Sequence, residues 1–229
     1  MERVLPARQV MVDPKPGAVR VLVVDDHDLV RSSLLRVLAD QVDLEPVGDA
    51  STLGEARELI VKTHPDIVLL DHVLPDGRGA HEVAGLISLH PAARVVMLTS
   101  SGSDSVLCAA VSGGAAGFIS KSRGPAPILD AVRAAARGDA AISRELMRRL
   151  LFRAGGQVEG PRGRVSEVDV ELLVLLSLGV RIDDAAARLG AEPEGVRRRV
   201  TSISAELGSR STLETLLIAV STGLIPSPT

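Results

Sequence analysis

The sequence predicts an α/β domain built on a five-stranded parallel sheet, joined by a linker to a smaller all-α helix-turn-helix domain. In residues 19–136, short aliphatic runs alternate with stretches of helical period, which favours a doubly wound sheet with helices on both faces. A segment rich in glycine, residues 154–163, then interrupts the pattern. Residues 164–229 contain helical patterns without strand patterns.

Composition excludes several classes of protein. The 229 residues suffice for one or two domains, and a formal net charge of −3 argues against a protein that coats nucleic acid indiscriminately. Two Phe without Tyr or Trp offer little for stacking single-stranded bases. Cys108 is the single cysteine of the sequence, which excludes an internal disulfide and an all-cysteine zinc site.

No apolar segment of the sequence predicts an association with a membrane. No apolar run reaches the ~18 residues needed to span a bilayer, and the first residues lack the apolar centre of a signal peptide. We therefore expect a cytoplasmic protein. Residues 1–18 contain several prolines and predict a disordered N-terminal tail.

The strands and helices of the first domain follow from hydrophobic periodicity. Strands are predicted at 19–24, 44–47, 67–70, 94–98 and 118–119. Helices are predicted at 29–38, 52–62, 81–87, 103–111 and 125–136.

Polar side chains follow four of these strands. Asp25 and Asp26 end the first strand, Asp71 the third and Thr99 the fourth, and Lys121 lies just after the fifth. In a sheet of order 2-1-3-4-5, ligands bind where the strand order reverses, between the first and third strands. We therefore expect the three aspartates in one cleft, with Thr99 and Lys121 at its rim.

This cluster predicts phosphoryl chemistry. Two carboxylates about 4 Å apart repel by roughly 4 kcal/mol at an effective dielectric near 20, so the cleft needs a cation or raised pKa values. Oxygen ligands favour Mg²⁺, and the ammonium of Lys121 suits a phosphoryl oxygen. The site is thus suited to accept a phosphoryl group on one of its own acids.

These motifs resemble a known family. The matching residues are Val23-Val24-Asp25-Asp26, Asp71 with Pro75 and Gly79, Thr99, and Phe118 with Lys121. In order and spacing they resemble the receiver domain of two-component response regulators, over about residues 19–136.

The resemblance implies a role for each matching residue. Asp71 would be the phosphoacceptor, and Asp25, Asp26, Asp71 and the backbone carbonyl of Val73 would hold Mg²⁺. Thr99 and Lys121 would sense the phosphoryl group, and Phe118 would be the aromatic switch. The phosphodonor would be a phosphohistidine on a sensor histidine kinase. His72 is expected to turn away from the site, and His27 to lie on the surface.

The connector between the domains is predicted at residues 137–163. Its start resembles the exit from the receiver in the NarL/FixJ subfamily, and a helix with Leu146, Leu150 and Leu151 on one face follows. The glycine-rich stretch 154–163 predicts a flexible linker.

The second domain, residues 164–229, predicts four helices. They lie at 165–178, 182–189, 194–207 and 211–222, and the short turn between the middle two indicates a helix-turn-helix. In the third helix Val196, Val200, Ile203 and Leu207 form a buried stripe. The last helix, with Leu213, Leu216, Leu217 and Val220, is a candidate dimer contact.

Basic residues near the start of the third helix suit the major groove and the phosphates of DNA. They are Arg197, Arg198 and Arg199, with Thr201 close by. The pattern resembles the LuxR-type DNA-binding domain, but Ile182-Asp183-Asp184 replaces the usual Asn-Lys-Glu. Between residues 164 and 210 the acidic side chains outnumber the basic ones by one, a poor background for phosphate attraction.

Two functional interpretations follow. The first is a response regulator, phosphorylated by a sensor histidine kinase, that dimerises on activation and binds double-stranded DNA operators as a transcription regulator. The alternative is a phosphorylation-controlled adaptor whose degenerate helix-turn-helix domain binds protein, which Asp183 and Asp184 favour. We do not expect an independent enzyme, because the sequence indicates no substrate pocket beyond the self-phosphorylating cleft.

Overall fold

The computed structural model describes residues 15–99, 103–154 and 165–228. Its strands are β1 (Val19–Val24), β2 (Leu44–Ala50), β3 (Ile67–Asp71), β4 (Val73–Leu74), β5 (Gly77–Arg78), β6 (Arg94–Thr99) and β7 (Gly117–Ser120). The helices of the first domain are α1 (Asp28–Ala39), α2 (Leu53–Thr63), α3 (Gly79–Leu89), α4 (Asp104–Ser112) and α5 (Pro125–Arg137), and a 3₁₀ turn covers Lys121–Arg123. The remaining helices are α6 (Arg144–Ala154), α7 (Glu167–Ser177), α8 (Ile182–Arg188), α9 (Pro193–Leu207) and α10 (Thr212–Ser221).

The main sheet has the predicted topology. Its order is β2-β1-β3-β6-β7 and its pairs are parallel. When these five strands alone are numbered along the chain, the order is 2-1-3-4-5, which confirms the prediction. Because Val24 pairs with Leu70 and Asp71 with Leu98, the carboxyl ends of β1, β3 and β6 lie side by side. This alignment brings the residues that follow those strands to one edge.

Alternating strand residues supply the two halves of the first domain's core. On one face, Val21 and Val23 pack in a cluster with α1 and α5. On the other, Leu22 and Val24 pack in a cluster with α2, α3 and α4. The strands are buried on both faces, as their unbroken aliphatic runs predict.

The helical domain shares the second of these apolar clusters. Met147, Leu150 and Leu151 of α6 join the residues of α4 to those of α7 and α10 without a break. The two domains are therefore joined by continuous apolar packing and not only by the linker. The prediction of a flexible linker falls largely on residues 155–164, and that of a disordered tail on 1–14, which lie outside the described residues.

Three local features differ from the expected ones. β2 extends to Ala50, and β4 and β5 form a small antiparallel hairpin that no pattern in the sequence predicted. Leu213, Leu216 and Val220, the candidate dimer contact in α10, are buried within the chain. No described helix is long and apolar enough to cross a bilayer.

Candidate phosphoacceptor site and helix-turn-helix surface

The carboxyl ends of β1 and β3 bring Asp25 and Asp71 to opposite sides of one ammonium group. Lys121 Nζ lies 2.6 Å from Asp25 Oδ2 and 2.8 Å from Asp71 Oδ2. The two aspartates are buried, and Lys121 reaches them from the turn that follows β7. The structure thus brings together Asp25 and Asp71, two of the three aspartates that the sequence assigned to one cleft, with Lys121 from its predicted rim.

The charges in this cleft are strongly coupled. Burial raises the pKa of Asp71 above its ordinary value, even though the Lys121 ammonium acts in the opposite direction. Burial alone would lower the pKa of Lys121, but its hydrogen bonds to Asp25 and Asp71 outweigh burial and raise it. Lys121 is therefore held in its charged form, whereas the carboxylate of Asp71 pays a desolvation cost that an added cation would offset.

The acidic residues beside the lysine form a candidate cation site. Asp25, Asp26, His27 and Asp71 each offer a ligand atom, and these atoms lie within 4.8 Å of one another. His27 Nδ1 is 2.6 Å from Asp26 Oδ1 and 3.1 Å from Asp25 Oδ1, although its ring is largely exposed. The carboxylate oxygens fit Mg²⁺. His27 lies on the surface, as the sequence predicted, although its ring also contacts the two acids that precede it.

The loop after β3 is folded tightly around Asp71. The backbone N–H of His72 donates to Asp71 Oδ1 at 2.7 Å, and the N–H of Gly79 donates to the His72 carbonyl at 2.8 Å. A Cβ atom on Gly79 would lie 2.1 Å from the Asp71 carbonyl oxygen, so this position admits only glycine without rearrangement. The Nδ1 atom of His72 is buried and makes no hydrogen bond with the described residues.

Thr99 and Phe118 occupy neighbouring strands at the rim. Thr99 is buried at the end of β6, beside β3, and pairs in register with Ser120. Phe118 is among the largest fully buried side chains of the described residues, and its N–H donates to Ala141 in the connector at 2.8 Å. Phe118 therefore links the sheet edge to the start of the connector.

The four predicted DNA-contacting residues of α9 divide into two groups. Arg197 forms an ion pair with Asp183 of α8, and Arg199 binds both carboxylate oxygens of Asp169 in α7. Arg198 and Thr201 are exposed. The hydrogen bonds from Arg199 hold the pKa of the buried Asp169 at about 2. Arg199 thus ties α9 to α7, whereas Arg198 is available to a partner.

The exposed side of α9 faces the first domain across a cleft of about 560 Å³. Arg197, Arg198 and Thr201 lie on one wall, and Arg94 and Arg137 lie on the other. The surface predicted to read DNA is therefore partly covered by the sheet domain in this arrangement.

Comparisons with known proteins agree with this geometry. The response regulator receiver domain family matches residues 21–133. The chain is 31% identical over 209 residues to the response regulator GacA of Pseudomonas viridiflava, covering 90% of this chain and 98% of that protein. It is 31% identical over 192 residues to the DNA-binding transcriptional activator DevR/DosR of Mycobacterium tuberculosis, covering 83% and 88%.

A solved structure supports the same assignment. The crystal structure of a LuxR-family two-component response regulator from Aurantimonas sp. SI85-9A1 is 29% identical, has a TM-score of 0.55, and covers 59% of this chain and 97% of that one. With the aspartate cleft, the parallel sheet and the attached helical domain, these likenesses lead to one conclusion. The chain belongs to the NarL/FixJ, or LuxR-type, family of two-component response regulators.

Proposed function

We propose that this protein is a transcription regulator whose binding to double-stranded DNA is controlled by phosphorylation of Asp71. The observation that carries the proposal is the Lys121 ammonium held between Asp25 and Asp71 at the ends of neighbouring strands. A sensor histidine kinase is the proposed donor. In the transfer, an Asp71 oxygen bonds to phosphorus while the phosphorus–nitrogen bond of the phosphohistidine breaks. No separate enzymatic activity is proposed, and the protein is expected to act in the cytoplasm.

The residues of the cleft fit Mg²⁺. Asp25, Asp26, Asp71 and the backbone carbonyl of Val73 would hold the ion, which when bound neutralises phosphoryl oxygens. Lys121 already lies against Asp71 and would pair with the new phosphoryl group in its place. Thr99 would donate its hydroxyl to that group, and Phe118 would repack as Thr99 moves. Because the backbone N–H of Phe118 donates a hydrogen bond to the Ala141 carbonyl, this movement would be transmitted to the connector.

The helical domain would supply DNA binding. We propose that phosphorylation separates the domains, uncovers Arg197, Arg198 and Thr201, and allows two chains to dimerise. Two α9 helices would then enter major grooves about one helical turn apart. Since Leu213, Leu216 and Val220 are buried here, a dimer contact through these residues of α10 requires that the helices packed against them move. The proposed division is 19–136 for the receiver, 137–163 for the connector and 164–229 for the DNA-binding domain, with 1–18 as a tail.

A small phosphodonor tests the first step. With acetyl phosphate and magnesium, the wild-type protein should gain one phosphoryl group by mass spectrometry, and Asp71→Asn should gain none. Equal labelling of both proteins would refute the assignment of Asp71.

The adaptor interpretation remains the second candidate, because Asp183 neutralises Arg197. A salt titration of DNA affinity separates the two functions. Phosphate contacts give affinity that falls steeply with salt, by a slope of about −0.9 for each contact. Replacing Arg198 by Ala should weaken binding and flatten this slope. If the wild type shows no salt-dependent DNA binding even when phosphorylated, the adaptor function is favoured.

A further inference from the structure

The cleft between the domains concentrates positive charge in a chain that is negative as a whole. Among the residues that the structure describes, five arginines line it, whereas the acidic residues along it are Asp139 and Glu194. The whole chain carries a formal net charge of −3. The five arginines lie on both walls: Arg94 comes from the receiver and Arg137 from the end of α5, where the connector begins, whereas Arg197, Arg198 and Arg210 come from the helical domain. Closing the domains therefore brings like charges together, which is unfavourable unless an anion lies between them.

Internal partners satisfy only some of these guanidinium groups. Arg94 donates to the carbonyls of Ala135 and Ala136 at the end of α5, and Arg137 Nε lies 3.2 Å from Asp139 Oδ2. Arg197 is paired with Asp183.

The other two have no such partner. Arg198 and Arg210 are exposed, and their side chains make no ion pair or hydrogen bond with the residues that the structure describes. The charge of Arg210 nevertheless acts on Glu214, whose carboxylate accepts the backbone N–H of Arg210 at 2.7 Å. Both line the cleft from the helical domain. They are therefore the two guanidinium groups with donors free for a ligand.

We propose that this cleft binds a small molecule carrying two or more phosphate groups. Its volume, about 560 Å³, lies within the ~300–1,000 Å³ typical of small-molecule sites. A cleft of about 560 Å³ is too small to enclose duplex DNA, whose major groove alone is about 12 Å wide. Two free guanidinium groups beside three that are already paired favour a compact multivalent anion, and the planar guanidinium fork matches phosphate oxygens. Phosphate groups supply that charge in the least volume.

Such an anion would act on both domains at once. By bridging Arg198 and Arg210 to the receiver wall, it stabilises the closed arrangement in which α9 faces the receiver. It also occupies Arg198, a proposed DNA contact. The anion is thus a competitive inhibitor of DNA binding, independent of phosphorylation at Asp71. This consequence depends on the proposed DNA-binding function, whereas anion binding itself does not.

Calorimetry on the full chain tests the site, with sodium tripolyphosphate as the probe in metal-free buffer at constant ionic strength. We expect one ion bound for each chain. The double variant Arg198→Gln/Arg210→Gln should bind about tenfold more weakly or worse, because it loses two charge-assisted contacts while keeping the aliphatic stems. The control Arg148→Gln, an exposed arginine of α6 outside the cleft, should bind like the wild type. Absent binding, or binding that the double variant leaves unchanged, would overturn the proposal.

Two further measurements define the ligand and its effect. If ATP and tripolyphosphate bind equally, phosphate groups alone are recognised, and tighter binding of ATP identifies a nucleotide site. In DNA binding, tripolyphosphate should inhibit the wild type more than sulfate does at equal ionic strength. Arg210→Gln should bind DNA but lose this extra inhibition, and retention of the inhibition would refute the site. A protein that binds tripolyphosphate but no DNA would refute the DNA-binding function while leaving the anion site established.

Discussion

At the scale of single residues, Asp71 carries two conflicting requirements. It must be ionised to attack phosphorus, yet its burial raises its pKa above the ordinary 3.8. Lys121 relieves the conflict in part, since its ammonium contacts both buried carboxylates. A metal ion would relieve more of it. The fold therefore tolerates a destabilising charge at the place where the chemistry needs one.

This conflict predicts a pH-dependent stability without metal. A carboxyl whose pKa is raised by folding destabilises the fold once it ionises. The free energy of unfolding should therefore decline as pH rises from 3.8 through the raised pKa of Asp71. Asp71→Asn should remove that decline and raise the free energy of unfolding of the metal-free protein near neutral pH, as measured by urea unfolding. Magnesium should stabilise the wild type more than the variant. A variant less stable than the metal-free wild type would contradict this account.

Arg199 and Arg198 are adjacent but should behave differently when replaced. Arg199→Ala leaves the buried Asp169 carboxylate unpaired and should cost about 1–2 kcal/mol of stability, discounted for the exposure of Arg199. Since Asp169 has a pKa of about 2, the wild-type ion pair stabilises the fold fully above pH 3.8. This stabilisation is lost as the pH falls from 3.8 towards about 2.

The matched control for this prediction is Arg198→Ala, which breaks no internal ion pair among the described residues. Its stability should stay within about 0.5 kcal/mol of the wild type, while its affinity for DNA falls. Denaturant unfolding at neutral and acidic pH measures the first effect and a binding titration the second. Equal stability losses in the two variants would show that Arg199 has no structural role.

At the scale of elements, the turn between β3 and α3 fixes the position of Asp71. Gly79→Ala would place a methyl group 2.1 Å from the Asp71 carbonyl oxygen, so the loop must move. We expect a loss of about 1–3 kcal/mol in stability and a sharp fall in phosphorylation by acetyl phosphate. Gly85→Ala on the exposed side of α3, where the nearest atom is 3.7 Å away, should be neutral or slightly stabilising. Normal phosphorylation of Gly79→Ala would refute the tight-turn argument.

Elements with strong local signals were predictable from the sequence. The aliphatic runs that end in Asp25 and Asp71 located β1 and β3, and the strand order then placed both acids in one cleft. The pairings of Arg197 with Asp183 and of Arg199 with Asp169 were not predictable. They join residues on different helices, and their choice depends on helix packing that periodicity does not specify. The β4–β5 hairpin has two-residue strands, which are too short to show an alternation of apolar and polar residues in the sequence.

At the scale of the whole molecule, the receiver and the helical domain are joined by few polar contacts over a continuous apolar core. Ser211 Oγ donates to the carbonyl of Ala115 in the receiver at 2.9 Å, and Thr212 Oγ1 donates to the carbonyl of Gly138, at the start of the connector, at 2.7 Å. Asp104 at the start of α4 pairs with Arg149 and Arg153 of α6. Because α4 follows Thr99 closely in the chain and packs against α6 and α10, it connects a residue of the phosphoacceptor cleft in sequence to the domain interface. A shift of α4 would therefore change the stability of the closed arrangement, in which α9 faces the receiver.

Thr212→Val tests whether closure limits DNA binding. The substitution preserves shape but removes the hydroxyl that binds Gly138, which should cost the closed arrangement about 1 kcal/mol. The open population, and with it the DNA affinity of the unphosphorylated protein, should rise roughly fivefold. Thr222→Val is the control, because its hydroxyl donates to the Ile218 carbonyl within the α10 terminus and contacts no receiver residue through that bond. Small-angle scattering should show a larger radius of gyration for Thr212→Val only. If Thr212→Val binds DNA no better than Thr222→Val, the covered face of α9 is not what restrains the resting protein.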